Sequence, residues 1–106
     1  METKSEKNAQ FKMEDSINEI CKLLSIIDDK DLIYDFFGCL FTKPELNDFA
    51  KRWCLVKELD AGTTQREIAR KYNMSLCNIT RGSKEMKKED SAFKKVLKLL
   101  EKNNTK

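Results

Sequence analysis

Apolar residues recur along this chain at three- and four-residue spacing, and short polar clusters divide them into segments. That spacing is typical of amphipathic α-helices, and no stretch shows the sustained alternation that would predict a strand. Glycine and proline are scarce, which favours long uninterrupted helices over a turn-rich β fold. The pattern predicts an all-α fold with helices at about residues 11–27, 32–41, 42–62, 64–72, 76–86 and from 91 onward.

Several predicted helix ends carry residues that satisfy the free backbone groups there. Thr42 and Thr64 each stand three residues before a glutamate, which is the spacing of a capping box. Gly62 suits the left-handed conformation that ends many helices. Ser75 follows a short turn at Asn73 and is placed to cap the next helix.

Residues 32–41 carry too many apolar side chains for a one-sided surface helix. The segment is therefore either a core helix or a helix covered by a partner chain. A chain of 106 residues has room for one small domain with a modest core, which a dimer could share. Residues 1–10 are polar and lack a period, so we expect a disordered arm ahead of a single domain at 11–106.

The two halves of the chain carry opposite charge. The formal net charge is +3, but residues 1–50 hold 6 Lys and Arg against 11 Asp and Glu, whereas residues 51–106 hold 15 against 7. A basic half of this kind is typical of a surface that faces phosphates. An ordinary solvated helical surface is compatible with it as well.

The residue types argue against several kinds of site. The chain has no histidine, and Cys21, Cys39, Cys54 and Cys77 lack C-x-x-C spacing, so no zinc site is predicted. Each cysteine lies in or beside an apolar run, and we expect buried, reduced thiols in a cytoplasmic protein. No apolar run approaches the roughly 18 residues of a membrane span. Without a Gly-rich phosphate loop or a nucleophile beside a base, no enzyme is predicted.

Residues 64–86 predict a helix-turn-helix unit. Ile68 and Ala69 on the first helix and Ile79 on the second are placed to pack inward, and the small Ala69 lets the helices cross closely. In such a unit the first residues of the second helix meet base edges in the major groove. Any three-helix core can carry a similar spacing, so a purely structural interpretation of the motif stays open.

The outward positions of this unit would face DNA. Leu76 and Cys77 can touch thymine methyl groups, and Thr80 can hydrogen-bond to a base edge directly or through water. Arg66 can reach a guanine or a phosphate. The other cations would contact phosphates, which adds affinity without sequence information: Arg70, Lys71, Lys84, Lys87 and Lys88.

This unit resembles the tryptophan repressor family at two strings, Gln65-Arg66-Glu67-Ile68 and Ile79-Thr80-Arg81-Gly82-Ser83. The similarity extends back to Phe41-Thr42 and Arg52 and covers about residues 30–102. It implies an all-α, intertwined homodimer that represses tryptophan metabolism genes. The repressor would bind operator DNA when L-tryptophan, its corepressor, occupies a pocket beside the second helix of the motif.

The resemblance also implies which residues hold the ligand. Arg52 and Arg81 would sandwich the indole, since a guanidinium plane stacks on an aromatic face and its fork holds a carboxylate. Thr42 would help to fix the amino acid. Backbone carbonyls around Cys39 and Phe41 would accept hydrogen bonds from its ammonium group.

Three further positions complete the implied pocket. Gly82 would leave room for the ligand ring. Asn78 and Glu85 replace a threonine and a serine of the enteric repressors, and Glu85 can pair either with the ligand ammonium or with Arg81 one helical turn away.

Trp53 is expected in the core. Gln65 and Arg66 resemble the pair that contacts DNA at the start of the motif.

Two other functions stay open at this point. The chain could be a related DNA-binding regulator that does not respond to tryptophan, as the changes at Asn78 and Glu85 would allow. It could also be a small helical protein that uses residues 32–41 only to dimerise or to dock a partner. The second alternative predicts no salt-sensitive affinity for DNA.

Overall fold

The computed structural model describes residues 10–104 of the chain. The regular elements among these residues are all α-helices, which confirms the all-α prediction, and the observed helix ends lie close to the predicted ones. The arm predicted at residues 1–10 falls outside the described part except for Gln10. The helices are α1 Met13–Ile26, α2 Lys30–Leu40, α3 Lys43–Asp60, α4 Gln65–Tyr72, α5 Leu76–Lys87 and α6 Ala92–Asn104.

The end of α3 has the backbone geometry predicted from Gly62. This residue adopts a φ of +86°, which a side chain would disfavour. Its N–H donates to the carbonyl of Leu59 at 3.1 Å, and the N–H of Thr63 donates to the carbonyl of Glu58 at 3.0 Å. These two bonds form a Schellman motif, which satisfies carbonyls left free at the helix end and turns the chain toward α4.

The ends of α4 and α5 also follow the predicted capping chemistry. The Thr64 hydroxyl accepts a hydrogen bond from the N–H of Glu67 at 3.2 Å, and the Ser75 hydroxyl accepts one from the N–H of Asn78 at 3.3 Å. Between the helices, Asn73 adopts a left-handed φ of +52°, a conformation that asparagine tolerates better than most residues. Local sequence therefore determines where both helices begin and where the turn lies.

The chain divides into two compact units, Met1–Thr42 and Lys43–Lys106. In the first unit, neither α1 nor α2 has a buried residue. Ile26 and Tyr34 are each 76% exposed. These helices therefore carry a large unburied apolar face. Leaving apolar surface in water is unfavourable by about 25 cal/mol per Å².

The second unit contains a core at the junction of three helices. Ile68 of α4 and Ile79 of α5 have no exposed surface, and Leu55 of α3 is 4% exposed. Ala69 packs against this cluster. The inward positions predicted for the two isoleucines and the alanine are therefore confirmed. Helix α3 packs on α4 and α5, and α5 packs on α4 and α6.

The expectation of buried cysteines is wrong for three of the four. All four thiols are free, but Cys21, Cys39 and Cys77 are exposed and only Cys54 is half-buried. Cys21 and Cys39 lie on the two helices that bury no residue in the first unit. An apolar run identified the face of the helix, but it did not show whether another element covers that face. Among residues 10–104, no helix combines the length and the apolar character needed to cross a membrane.

A carboxylate that the sequence analysis did not single out joins α3 to the segment that follows it. One Glu58 oxygen accepts hydrogen bonds from the Lys71 ammonium and the Tyr72 hydroxyl, each at 2.7 Å. The other oxygen accepts one from the Thr63 hydroxyl, also at 2.7 Å. The Lys71 bond, followed by those of Tyr72 and Thr63, lowers the pKa of Glu58 from 4.5 to about 2. The same contact raises the pKa of Tyr72 to about 12.

The Glu58 interactions make a prediction about acid stability. Because the pKa of Glu58 is lower in the folded protein than its ordinary value of 4.5, its stabilising effect is complete above pH 4.5. That effect is lost as the pH falls from 4.5 toward 2. We expect Glu58→Gln to lower the free energy of unfolding at pH 6 and to flatten its dependence on pH between 4.5 and 2. Urea denaturation at several pH values and one protein concentration measures both effects.

The matched control is Glu101→Gln, which changes an exposed carboxylate on α6. It should leave both the free energy of unfolding at pH 6 and its acid dependence close to those of the unsubstituted protein. A Glu58→Gln protein that kept the full pH dependence below 4.5 would contradict the assignment.

Candidate functional site

Helices α3 and α5 line an open cavity of about 800 Å³ within the second unit, and Phe93 in the first turn of α6 contributes to one side. We call it the α3–α5 cavity. Its volume lies within the range of roughly 300–1,000 Å³ that is typical of small-molecule sites. Its wall is mainly apolar and carries a few polar groups, as in such sites. The lining residues are Phe49, Ala50, Arg52, Trp53, Leu55, Val56, Asn78, Arg81, Gly82, Glu85 and Phe93.

The cavity lies between one face of α3 and one face of α5, and the lining residues have the same spacing on both helices. On α5, the lining positions 78, 81, 82 and 85 follow the i, i+3, i+4, i+7 spacing that places residues on one helical face. On α3, positions 49, 52, 53 and 56 follow the same spacing. The cavity thus brings together five of the eight residues predicted for the ligand: Arg52, Asn78, Arg81, Gly82 and Glu85.

The charged side chains of the cavity differ in whether they form an ion pair with another described residue. Among residues 10–104, neither Arg52 nor Arg81 takes part in an ion pair, and both are exposed. Glu85, by contrast, accepts a hydrogen bond from the Lys88 ammonium at 3.1 Å. The cavity therefore offers two open guanidinium groups and one carboxylate that is held by a lysine. Open guanidinium forks suit a carboxylate, and their flat faces suit an aromatic ring.

Gly82 owes its place first to the packing of α5 on α3. An added Cβ would lie 2.9 Å from Cδ2 of Leu55 and 3.5 Å from Cδ1 of Leu59. The resemblance explained this glycine by the space that a ligand ring needs. In the structure, the neighbour that a Cβ would crowd is the Leu55 side chain of α3, whereas Leu59 lies at an ordinary contact distance. A side chain at position 82 would therefore require the Leu55 side chain, which also lines the cavity, to move.

The expected core position of Trp53 is not what the structure shows. Its ring lines the α3–α5 cavity and is only half-buried, with the Lys57 ammonium 5.9 Å from the ring centroid. Phe49 and Phe93 also line the cavity, although neither was predicted to belong to a site. The matching spacing on α3 and α5 is a signal that could have found Phe49, whereas Phe93 lies on α6, outside that pattern.

The remaining residues predicted for the ligand lie in the first unit. Cys39 is in the last turn of α2, Phe41 ends that helix, and Thr42 precedes α3. The roles that the resemblance implies for these three residues remain predictions.

The residues predicted to contact DNA form an exposed set on α4 and α5, which we call the α4–α5 surface. Thr80 of α5 donates a hydrogen bond to the side-chain oxygen of Gln65 at 3.4 Å, so the two helices meet there. Leu76 is 57% exposed at the start of α5. Arg70 pairs with Glu67 on its own helix. The α4–α5 surface comprises Gln65, Arg66, Arg70, Leu76, Cys77, Thr80 and Lys84.

No metal site competes with this assignment in the part of the chain that the structure describes. Within residues 10–104, no three side chains of the types His, Cys, Asp and Glu come together in a way that could hold an ion.

Comparison with known proteins gives a consistent result. The family described as Trp repressor protein matches residues 15–101. A Trp operon repressor homolog of Chlamydia caviae is 40% identical over 93 residues, which cover 87% of this chain and 92% of that protein. A Trp operon repressor homolog of Chlamydia trachomatis serovar L2 is 38% identical over 76 residues, with 71% and 81% covered. One of Xylella fastidiosa strain M23 is 29% identical over 86 residues, with 80% and 91% covered. No solved structure gives a significant match.

The contact between Gly82 and Leu55 predicts a coupled pair of substitutions. Gly82→Ala gains about 0.5–1 kcal/mol from helix propensity, but crowding against Leu55 costs about 1–3 kcal/mol. We expect a net loss of about 1 kcal/mol in the free energy of unfolding. In a Leu55→Val background, which removes the obstructing Cδ2, the alanine should be neutral or stabilising. A double-mutant cycle by urea denaturation measures the coupling. Strict additivity of the two substitutions would contradict the close contact.

Proposed function

The chain belongs to the Trp repressor family, a family of DNA-binding regulators and not of enzymes, and from this premise we propose a tryptophan-dependent mode of action. In this proposal the protein is a homodimer whose affinity for operator DNA rises when L-tryptophan occupies the α3–α5 cavity. It acts in the cytoplasm on tryptophan metabolism genes. The relatives named Trp operon repressor homolog support this assignment.

The observation that carries the proposal is the two-sided use of α5. One face of this helix supplies Asn78, Arg81, Gly82 and Glu85 to the cavity. At 100° per residue, Leu76, Cys77, Thr80 and Lys84 fall on a different face, where they are exposed. A ligand in the cavity would therefore support the helix from behind while the other face meets DNA.

The cavity groups suit an aromatic amino acid. The guanidinium groups of Arg52 and Arg81 would lie on the two faces of the indole and would receive the carboxylate. The apolar wall that includes Trp53 and Phe93 would exclude water from the ring. We further propose the ligand-binding roles that the family resemblance implies for Thr42 and for the backbone carbonyls near Cys39 and Phe41.

The effect on DNA binding follows from the spacing that DNA requires. In dimeric helix-turn-helix proteins, Trp repressors among them, the two reading helices enter major grooves about one turn apart, roughly 34–36 Å. A ligand wedged between α3 and α5 would favour the arrangement with that spacing. It can shift the equilibrium only by binding this arrangement more tightly than the alternatives. The partner copy would also cover the apolar faces of α1 and α2, which lack buried residues.

A regulator that does not respond to tryptophan is the second candidate. The observation in its favour is the pair between Glu85 and Lys88 at the cavity wall, which a ligand would have to accommodate. This candidate predicts the same DNA affinity with and without tryptophan.

Binding of L-tryptophan to the purified full-length protein tests the ligand part of the proposal. We expect saturable heat in a calorimetric titration, with a loss of at least about tenfold in affinity for Arg81→Ala, the scale of one charge-assisted contact. Arg70→Ala is the matched control, because Arg70 lies outside the cavity and pairs with Glu67. Calorimetry is preferred to fluorescence because Trp53 lines the cavity. Absence of heat with a folded protein would favour the tryptophan-independent regulator.

DNA binding makes a separate prediction. An operator selected from random duplexes in the presence of L-tryptophan should lose affinity steeply as salt rises, since each phosphate contact contributes about −0.9 to the logarithmic slope. Arg66→Ala should weaken binding about tenfold or more if Arg66 reads a base or a phosphate. Lys98→Ala on α6 is a control of the same charge change outside the α4–α5 surface. Equal operator affinity with and without tryptophan at fixed salt would exclude the corepressor role.

A further inference from the structure

We propose that Glu85 makes the α3–α5 cavity selective for aromatic amino acids that carry a free ammonium group, and that it disfavours aromatic acids that carry only a carboxylate. This inference rests on the proposed function, because it assumes that an aromatic ligand enters the cavity. It assigns to one residue the choice between tryptophan and other indole acids.

The cavity wall carries two positive side chains and one negative side chain. Arg52 and Arg81 are both free of ion pairs with described residues, and two such groups alone would accept any aromatic anion of suitable size. Glu85 adds a negative charge to the same wall. A carboxylate at that position repels an anion that cannot offset it, and it attracts a ligand that also brings a cation. The set of two guanidinium groups and one carboxylate therefore complements a zwitterion.

Arg81 and Glu85 are neighbours along the cavity face of α5. Asn78, Arg81 and Glu85 follow one another on the cavity face, so that guanidinium and carboxylate lie on adjacent turns. In an α-amino acid, the carboxylate and the ammonium group are attached to the same carbon atom. A ligand whose carboxylate meets Arg81 can direct its ammonium toward Glu85. An indole acid that lacks the ammonium would leave Glu85 facing only apolar ligand surface or the ligand carboxylate.

Glu85 forms an ion pair with Lys88 on the same helix. The carboxylate is bonded to Lys88 at 3.1 Å and not to Arg81, so Arg81 stays open for the ligand. The Glu85 side chain is 45% exposed and that of Lys88 is 63% exposed. Exposed pairs of this kind contribute little to stability, so a ligand ammonium can replace Lys88 at small cost. Lys88 is then a competitor that the ligand displaces.

Three ligands separate the two charges of the amino acid. L-Tryptophan carries both, indole-3-propionate carries only the carboxylate, and tryptamine carries only the ammonium group. We expect the unsubstituted full-length protein to bind L-tryptophan at least about tenfold more tightly than indole-3-propionate by calorimetry at fixed salt and pH, the scale of one charge-assisted hydrogen bond. Tryptamine should bind weakly because the arginines gain no partner.

Substitutions on α5 then test Glu85 itself. Glu85→Gln should weaken L-tryptophan binding about tenfold and strengthen indole-3-propionate binding, so that the preference is lost. Lys88→Gln removes the competing cation and should strengthen L-tryptophan binding about twofold to threefold. Glu89→Gln, an exposed carboxylate that does not line the cavity, is the matched control and should change neither affinity. Circular dichroism verifies that each variant keeps its helical content.

The outcomes distinguish this inference from the proposed function. If L-tryptophan binds but Glu85→Gln keeps the original preference, or weakens both ligands equally, the role of Glu85 is overturned while the corepressor proposal stands. If L-tryptophan and indole-3-propionate both fail to bind the folded, unsubstituted protein, the corepressor proposal fails and the selectivity of Glu85 fails with it. The inference is supported if Glu85→Gln loses the preference for L-tryptophan over indole-3-propionate and the control Glu89→Gln keeps it.

Discussion

The close approach of α5 to α3 at Gly82 and Leu55 is the constraint on which the second unit depends. A Cβ at position 82 would stand 2.9 Å from Cδ2 of Leu55, so only glycine lets the helices meet at this distance without movement. Leu55 is also part of the core with Ile68 and Ile79. Because Leu55 and Gly82 both line the α3–α5 cavity, the same contact that closes the core determines how far apart the cavity walls lie.

Helix α3 holds the rest of the unit in place through a second set of contacts. Near its end, Glu58 binds Thr63 in the connecting segment and Lys71 and Tyr72 at the end of α4. Farther back on the same helix, Arg52 lines the cavity. The same helix therefore contacts the first helix of the proposed DNA-binding unit and also carries a group proposed to hold the ligand.

The features predicted from the sequence were those that depend on neighbouring residues. Ser75 and Gly62 mark helix ends through hydrogen bonds and dihedral angles within a few residues, and Ile68 is on the inward face by periodicity alone. Glu58 was missed because its partners lie 5, 13 and 14 residues away, and no local pattern joins them. Trp53 was assigned to the core because helical spacing identifies an apolar face but does not show whether that face meets a core or a cavity.

The two faces of α5 limit how a ligand in the cavity can act on DNA. Such a ligand lies against Arg81 and Glu85, whereas Leu76, Cys77 and Thr80 are exposed on another face of the helix. It therefore leaves the chemistry of the base-facing side chains unchanged. The position or the mobility of α5 is one route for its influence, and the effect by this route can be no larger than the difference in ligand affinity between the two arrangements of that helix. Under the proposed mechanism, tryptophan changes how tightly the operator is bound and leaves which bases are preferred to the α4–α5 surface.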